Sequence, residues 1–84
     1  MKYAIVTGGS RGIGAEICRK LSENGYYVYI NYNNSAEKAE ALAAEIGGKA
    51  VKFDVSDMQS VKIAMNSILS ECKHIDLLVN NAGV

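Results

Sequence analysis

The strongest structural signal in this chain is a glycine-rich segment near its N-terminus, Thr7-Gly8-Gly9-Ser10-Arg11-Gly12-Ile13-Gly14. It lies between an apolar run, Ala4-Ile5-Val6, and a stretch with helical periodicity. Glycine permits positive φ and lets backbone N–H groups approach a pyrophosphate, toward which the following helix directs its partly positive N-terminus. The spacing differs from the commoner Gly-x-Gly-x-x-Gly fingerprint. The segment therefore predicts a variant of the dinucleotide-binding loop.

Segments of strand and helix character alternate along the chain. Strands are predicted near 2–7, 26–31, 49–53 and 75–79, and helices near 12–24, 35–47 and 57–72. This alternation predicts a parallel sheet, and right-handed crossovers give the strand order 3-2-1-4 with helices on both faces. The expected fold class is α/β, a partial Rossmann-type doubly wound sheet, with residues 1–84 as one N-terminal nucleotide-binding part of a single domain.

Three local patterns place particular side chains. The first helix is expected to present one apolar stripe of Ile13, Ile17 and Leu21. The third helix is expected to begin at a capping box, Ser56-x-x-Gln59. The continuous apolar run Leu77-Leu78-Val79 is typical of a strand covered on both faces, so the fourth strand is expected to be central, like the first.

The carboxyl ends of the first and fourth strands form the switch point of this topology, where ligands bind in open α/β sheets. The glycine-rich loop and Asn80-Asn81-Ala82-Gly83 both fall there. The two amides can bridge loops as donors and acceptors, although such a segment alone could be only a turn. Asp54 follows the third strand at the same rim. Its carboxylate could accept a hydrogen bond from an adenine amino group, or it could be a helix-entry residue.

The end of the second strand bears on cofactor choice. An NAD-binding protein usually has an acid there for the ribose hydroxyls, but Ile30-Asn31-Tyr32-Asn33-Asn34 contains none. A carboxylate would repel a 2′-phosphate, whereas Arg11 can make charge-assisted bonds to one. The segment therefore favours NADP(H) over NAD, with a solvated surface charge as the alternative role of Arg11.

Taken together, the loop Thr7–Gly14 and the turn Asn80–Gly83 resemble the hallmark motif pair of the short-chain dehydrogenase/reductase family. Asp54-Val55 adds a third match, because the family often has Asp-Val or Asn-Val there. The resemblance spans the whole chain and is nearest to the 3-oxoacyl-[acyl-carrier-protein] reductases of fatty acid synthesis. It implies that the second amide and the following backbone line the ribose side of the cofactor, and that NADP-dependent members carry a basic residue where Arg11 stands.

These arguments predict a set of cofactor-binding residues from the loop, the end of the second strand and the two later rims. They are Gly8, Gly9, Ser10, Arg11, Gly12, Ile13, Gly14, Asn31, Tyr32, Asn33, Asp54, Val55, Asn81, Ala82 and Gly83.

The resemblance implies a family enzyme that reduces a carbonyl with a Tyr-x-x-x-Lys pair, a serine and a further asparagine. None of the five tyrosines here is followed four residues later by lysine, so no residue is assigned catalysis. We expect this chain alone to bind the adenosine half of the cofactor weakly and to be inactive. The alternative is a stand-alone, non-catalytic nucleotide-binding module, in which the fourth strand would form an exposed sheet edge.

Composition argues against several other classes of partner. Nine basic and nine acidic residues balance without forming a block, which argues against a nucleic-acid partner. No run approaches the ~20 apolar residues of a membrane span and no signal peptide is evident, so a cytoplasmic location is expected.

No metal site is predicted, and a magnesium-dependent receiver domain would need paired acids where Thr7-Gly8-Gly9 stands. The resemblance implies that the intact enzyme is a homo-oligomer, a dimer or tetramer formed through later helices.

Overall fold

Strands and helices alternate throughout the computed structural model, which describes residues 1–82. The elements are β1 (Lys2–Thr7), α1 (Gly12–Glu23), β2 (Tyr26–Tyr32), α2 (Ala36–Ile46), β3 (Lys49–Lys52), α3 (Met58–Cys72) and β4 (Leu77–Asn80). All strand pairs are parallel, and their order across the sheet is β3-β2-β1-β4. The predicted α/β class and the predicted strand order are confirmed.

Helices cover both faces of this sheet, as predicted. On one face, Cys18 of α1 and Leu42 of α2 belong to the same buried cluster as Val6 of β1. On the other face, Ile68 of α3 shares a buried cluster with Ile5 of β1. Because successive side chains of a strand point to opposite faces, β1 contributes to both clusters and is the strand on which both layers pack.

The fourth strand differs from its prediction as a central, fully covered strand. Ala4, Ile5 and Val6 of β1 are buried, and β1 lies between β2 and β4. Within residues 1–82, however, β4 pairs with β1 alone, and Leu78 is 59% exposed. The prediction for β4 is therefore wrong for the described chain, because an apolar run indicates which faces favour burial and not whether a neighbour covers them.

The first helix buries its small residues most deeply, and only part of its predicted stripe reaches the core. Gly14, Ala15 and Cys18 face the sheet, whereas Ile13 is 73% exposed. Because these residues are small, the helix can lie close to β1 and β2 and to the glycine-rich loop. Ile17 and Leu21 of the stripe are half-buried against the core cluster, and Ile13 is not among the residues that pack on it.

The third helix begins one residue later than its predicted capping box requires. Its N-cap is Asp57, whose Oδ1 accepts hydrogen bonds from Gln59 N at 3.0 Å and from Ser60 N at 3.5 Å. Ser56 instead donates through both its backbone N and its hydroxyl to Oδ1 of Asp54. The capping-box prediction is therefore wrong, since the Ser56 hydroxyl is already engaged with the preceding carboxylate.

Two further features concern what the described chain lacks. Across residues 1–82, no helix is both long and apolar enough to cross a membrane. Nor does the described part contain a group of three or more His, Cys, Asp or Glu side chains arranged to hold a metal ion.

Candidate functional site

A crevice of about 420 Å³ opens at the carboxyl ends of the strands. Its walls come from the glycine-rich loop, the segment after β2 and the turn after β4. The lining residues are Gly8, Ser10, Arg11, Ile13, Gly14, Tyr32, Asn33, Asn34, Ser35, Asn81 and Ala82. The parallel sheet thus brings together three segments that are distant in the chain, at the switch point where open α/β sheets bind ligands.

Glycines shape the loop for two different physical reasons. Gly8 and Gly12 have left-handed backbones, with φ of 62° and 61°. Gly14 is required by close packing instead: a Cβ there would lie 2.4 Å from the carbonyl oxygen of Gly8 and 2.7 Å from Nδ2 of Asn81. The first turn of α1 is therefore in direct backbone contact with the loop that precedes it.

The N-terminus of α1 is electrostatically suited to an anion. Its N-cap, Arg11, has an extended backbone and makes no side-chain capping bond, and the first turn contains no acidic residue. The first N–H groups of a helix lack intrahelical partners and carry partial positive charge. Of the lining residues that the structure describes, Arg11 is the only charged one. A phosphate is the kind of group that such a surface binds.

Gly8 is held from both sides by buried or half-buried amides. Asn31 Oδ1 accepts a hydrogen bond from Gly8 N at 2.9 Å, and Asn81 Nδ2 donates to Gly8 O at 3.1 Å. Asn31 also donates through Nδ2 to Phe53 O at 2.9 Å, which links the loop to the end of β3. Asn31 is 3% exposed and does not line the crevice. It therefore acts as a positioning residue for the loop.

Thr7 joins the end of β1 to the turn after β4. Its Oγ1 accepts hydrogen bonds from Asn81 N at 2.9 Å and Ala82 N at 3.1 Å. The same hydroxyl lies 3.3 Å from two acceptors, Val79 O and Asn80 Oδ1. Thr7 opens the glycine-rich motif but was not among the predicted site residues. Its position could have indicated this role, because a hydroxyl at the end of a central parallel strand lies beside the ends of the neighbouring strands.

We expect Thr7→Val to lower the free energy of unfolding by about 1–3 kcal/mol, because the two N–H groups after β4 lose their buried acceptor at nearly unchanged side-chain volume. Thr7→Ser keeps the hydroxyl and should cost less. Urea unfolding followed by circular dichroism measures both changes. Equal stability of the two variants would show that these hydrogen bonds contribute nothing.

Two predicted site residues lie outside the crevice at the end of β3. The Asp54 carboxylate accepts from the Ser56 hydroxyl at 2.7 Å and from Ser56 N at 2.9 Å, and these bonds lower the pKa of Asp54. Val55 is 44% exposed. Neither residue is in the lining, so an adenine contact by Asp54 stays a prediction. Gly83 lies outside the described residues.

Behind the loop, Gly9 packs against the buried thiol of Cys18. A Cβ on Gly9 would lie 3.0 Å from Cys18 Sγ, so this loop position also has little space. Burial raises the pKa of Cys18 to about 11, which keeps the thiol neutral near pH 7. Gly9 and Gly12 of the predicted set support the loop without lining the crevice.

Two lining residues, Asn34 and Ser35, were not among the predicted site residues. Ser35 is the N-cap of α2 and makes no side-chain capping hydrogen bond. The sequence could have indicated both residues, because the polar run Asn33-Asn34-Ser35 directly follows β2, whose carboxyl end lies near the switch point, and leads into α2.

Comparisons with known proteins agree over almost the whole chain. The family model described as short chain dehydrogenase matches residues 2–84. A 3-oxoacyl-[acyl-carrier-protein] reductase of Staphylococcus aureus is 46% identical over 88 residues, covering 99% of this chain and 36% of that protein. An acetoacetyl-CoA reductase of Rhizobium meliloti is 43% identical over 83 residues, covering 99% and 34%. A solved Serratia marcescens short-chain dehydrogenase/reductase variant superposes with a TM-score of 0.90 at 44% identity, covering 99% and 36%. The chain spans about a third of the length of these relatives.

Proposed function

The chain belongs to the short-chain dehydrogenase family, and from that premise we propose that it is the N-terminal, NADP(H)-binding segment of a cytoplasmic oxidoreductase that reduces a carbonyl to an alcohol. The observation that carries this proposal is the crevice, which is lined together by the glycine-rich loop, the acid-free segment after β2 and the Asn81 turn. The names of two relatives favour a 3-oxoacyl thioester as substrate. We also propose that the intact enzyme acts in fatty acid synthesis. The intact enzyme is expected to be a homo-oligomer.

In this proposal the described residues bind and orient the cofactor. The open N-terminus of α1 and the glycine-rich backbone bind the pyrophosphate. Arg11 binds the 2′-phosphate, Tyr32 and Asn33 lie beside the adenosine, and Asn81 with Ala82 lines the ribose side. When bound, the reduced nicotinamide supplies the hydride. No residue of this chain is assigned the proton transfer, so the chain alone should be inactive.

The test is an amide ¹H–¹⁵N titration of the chain with NADPH and with NADH. NADPH should shift the amides of the glycine-rich loop and of Tyr32 to Asn34 at lower concentration than NADH. Overlapping shifts of the same size for both dinucleotides would overturn the NADP preference. A dispersed spectrum that neither dinucleotide changes would overturn the cofactor role altogether.

We expect Arg11→Gln to weaken NADPH binding about tenfold while changing NADH binding less than twofold, because a charge-assisted contact to a phosphate is lost only from the phosphorylated ribose. The measured quantity is the ratio of the two dissociation constants. Lys38→Gln is the matched control, since it removes an exposed positive charge from α2 outside the crevice lining. Equal weakening of both dinucleotides by Arg11→Gln would place Arg11 at the pyrophosphate instead.

The second candidate is the stand-alone, non-catalytic nucleotide-binding module. This candidate needs no catalytic pair, and none of the five tyrosines of the 84 residues is followed four residues later by lysine. The two candidates differ in how much of the dinucleotide they hold. A segment that contacts only the adenosine half should bind adenosine 2′,5′-bisphosphate about as tightly as NADPH, whereas a complete module should bind NADPH at least tenfold more tightly. Isothermal titration with both compounds separates them.

A further inference from the structure

The carbonyl group of Gly9 is buried behind the glycine-rich loop, and its hydrogen-bond donor is the thiol of Cys18 on α1. Cys18 Sγ donates to Gly9 O at 3.7 Å, and both residues are buried. Within residues 1–82, no other group donates a hydrogen bond to this oxygen. A buried carbonyl without a donor is costly, so the thiol, although a weak donor, satisfies a group that would otherwise be unpaired.

Gly9 is held on its other side as well. Its N–H donates to Asn31 O at 3.1 Å, so the end of β2 holds the N–H of this residue while α1 holds its carbonyl. The contact with α1 is close, because a Cβ on Gly9 would lie 3.0 Å from Cys18 Sγ. Burial raises the pKa of Cys18 to about 11, so the thiol keeps the proton that it donates.

The direction of the Gly9 carbonyl determines the direction of the Ser10 N–H. The two groups belong to one peptide unit, and in a trans peptide they point in opposite directions. Because Gly9 O points toward Cys18 in the core, Ser10 N–H points away from the core. Ser10 lines the crevice, and its N–H has no hydrogen-bond partner among the described residues. This N–H is therefore available to an anion in the crevice.

We propose that Cys18 is a positioning residue for dinucleotide binding, whose thiol fixes the peptide unit between Gly9 and Ser10 so that Ser10 N–H is directed at the pyrophosphate. This inference rests on the proposed function. Cys18 itself does not line the crevice, so it acts through the loop. Without the thiol the peptide unit can rotate. A loop that holds the binding orientation for only part of the time binds with a proportionally larger dissociation constant.

The second cysteine provides a matched control within the same chain. Cys72 is 5% exposed, and its Sγ donates to His74 O at 3.1 Å. It belongs to the cluster on the α3 face of the sheet, whereas Cys18 belongs to the cluster on the opposite face. Both thiols therefore pack in the core and donate to a backbone carbonyl, but only the carbonyl bonded to Cys18 belongs to the glycine-rich loop.

Alanine at each cysteine separates positioning from general stability. Cys18→Ala should weaken NADPH and NADH binding by the same factor, about two- to tenfold, because the pyrophosphate is common to both. Cys72→Ala should lower the midpoint of urea unfolding but leave both dissociation constants unchanged. Adenosine 2′-monophosphate, which has no pyrophosphate, should bind Cys18→Ala as it binds the unaltered chain. Amide titrations measure these constants, and circular dichroism establishes that each variant is folded.

Inorganic pyrophosphate, titrated in parallel, separates this inference from the proposed function. An unaltered chain that binds pyrophosphate but neither dinucleotide would overturn the proposed function alone, and pyrophosphate then serves to compare the two alanine variants. Equal effects of these variants on every ligand would overturn the role of Cys18 and leave the cofactor role intact. Weaker binding of adenosine 2′-monophosphate by Cys18→Ala would also overturn it. An unaltered chain that binds none of these ligands would overturn both.

Gly9→Ala tests the contact itself without any ligand. Its methyl group would lie 3.0 Å from Cys18 Sγ and 3.1 Å from Val6 O, so the change should lower the urea midpoint of the unaltered chain. The loss should be smaller when Gly9→Ala is combined with Cys18→Ala, because the sulfur that the methyl group meets is then absent. Additive losses would show that the two side chains do not interact, and would overturn the inference.

Discussion

Replacement of Gly14 by alanine is expected to destabilise the protein by about 3 kcal/mol and to abolish dinucleotide binding. Alanine favours a helix over glycine by ~1 kcal/mol, but steric overlap at this site is larger. The new methyl group would lie 2.4 Å from Gly8 O, 2.7 Å from Asn81 Nδ2 and 2.9 Å from Gly9 Cα. These atoms cannot retreat easily, because Gly8 is held through its N–H and its carbonyl by the two amides on either side. Urea unfolding and NADPH titration measure the two effects.

Gly12→Ala is the matched control for this prediction. Gly12 has φ of 61°, and a Cβ there meets no atom within 4 Å. Its substitution should therefore cost about 1–2 kcal/mol of left-handed strain and leave the contact between Asn81 and Gly8 intact. Gly14→Ala should consequently be the more damaging change. The reverse ranking would show that backbone conformation, and not the close approach of α1 to the loop, limits this segment.

The strand order and the position of the crevice could be predicted from sequence because few physical rules determine them. An apolar run such as Ala4-Ile5-Val6 indicates burial on both faces, and the glycine-rich loop after it favours the Rossmann order among those that right-handed crossovers allow. Strand ends then meet at one edge of the sheet. The glycine-rich loop and the Asn81 turn therefore had to lie close together, and both line the crevice.

The hydrogen-bond partners of individual polar side chains could not be predicted in this way. Ser56 and Asp57 are both good N-caps, and the choice between them depends on Asp54, which accepts both hydrogen bonds from Ser56. An amide side chain such as that of Asn31 can bind a ligand at this position. Here it hydrogen-bonds Gly8 N and Phe53 O instead, so it points into the protein and not into the crevice. The orientation of such side chains depends on residues that are brought near by the tertiary fold, and the local sequence pattern does not determine it.

Asn31→Leu is expected to cost about 3 kcal/mol of unfolding free energy, because a side chain of similar size leaves Gly8 N and Phe53 O without partners in a buried place. The loop should also lose its anchor, so NADPH binding should weaken even under conditions where the variant is folded. Asn66→Leu is the control, since Asn66 is exposed on α3, outside the crevice lining, and should cost less than about 0.5 kcal/mol. Similar losses for the two variants would contradict the positioning role of Asn31.

Asn31→Asp tests the same two hydrogen bonds through pH. The protonated carboxyl can accept from Gly8 N and donate to Phe53 O, whereas the carboxylate has no proton to donate and faces a carbonyl oxygen. Burial and this carbonyl should raise the pKa of the new carboxyl in the folded state above its unfolded value of about 3.9. A group with a raised folded pKa contributes stability that is present below the unfolded pKa and is lost as pH rises through the folded pKa. Relative to the unaltered chain, the variant should therefore lose unfolding free energy as pH rises from about 4 through the folded pKa, by ~1.4 kcal/mol for each unit by which that pKa is raised. Asn31→Leu introduces no titrating group and should show a constant difference over the same range, so a constant difference for Asn31→Asp would mean that Phe53 O does not depend on this donor.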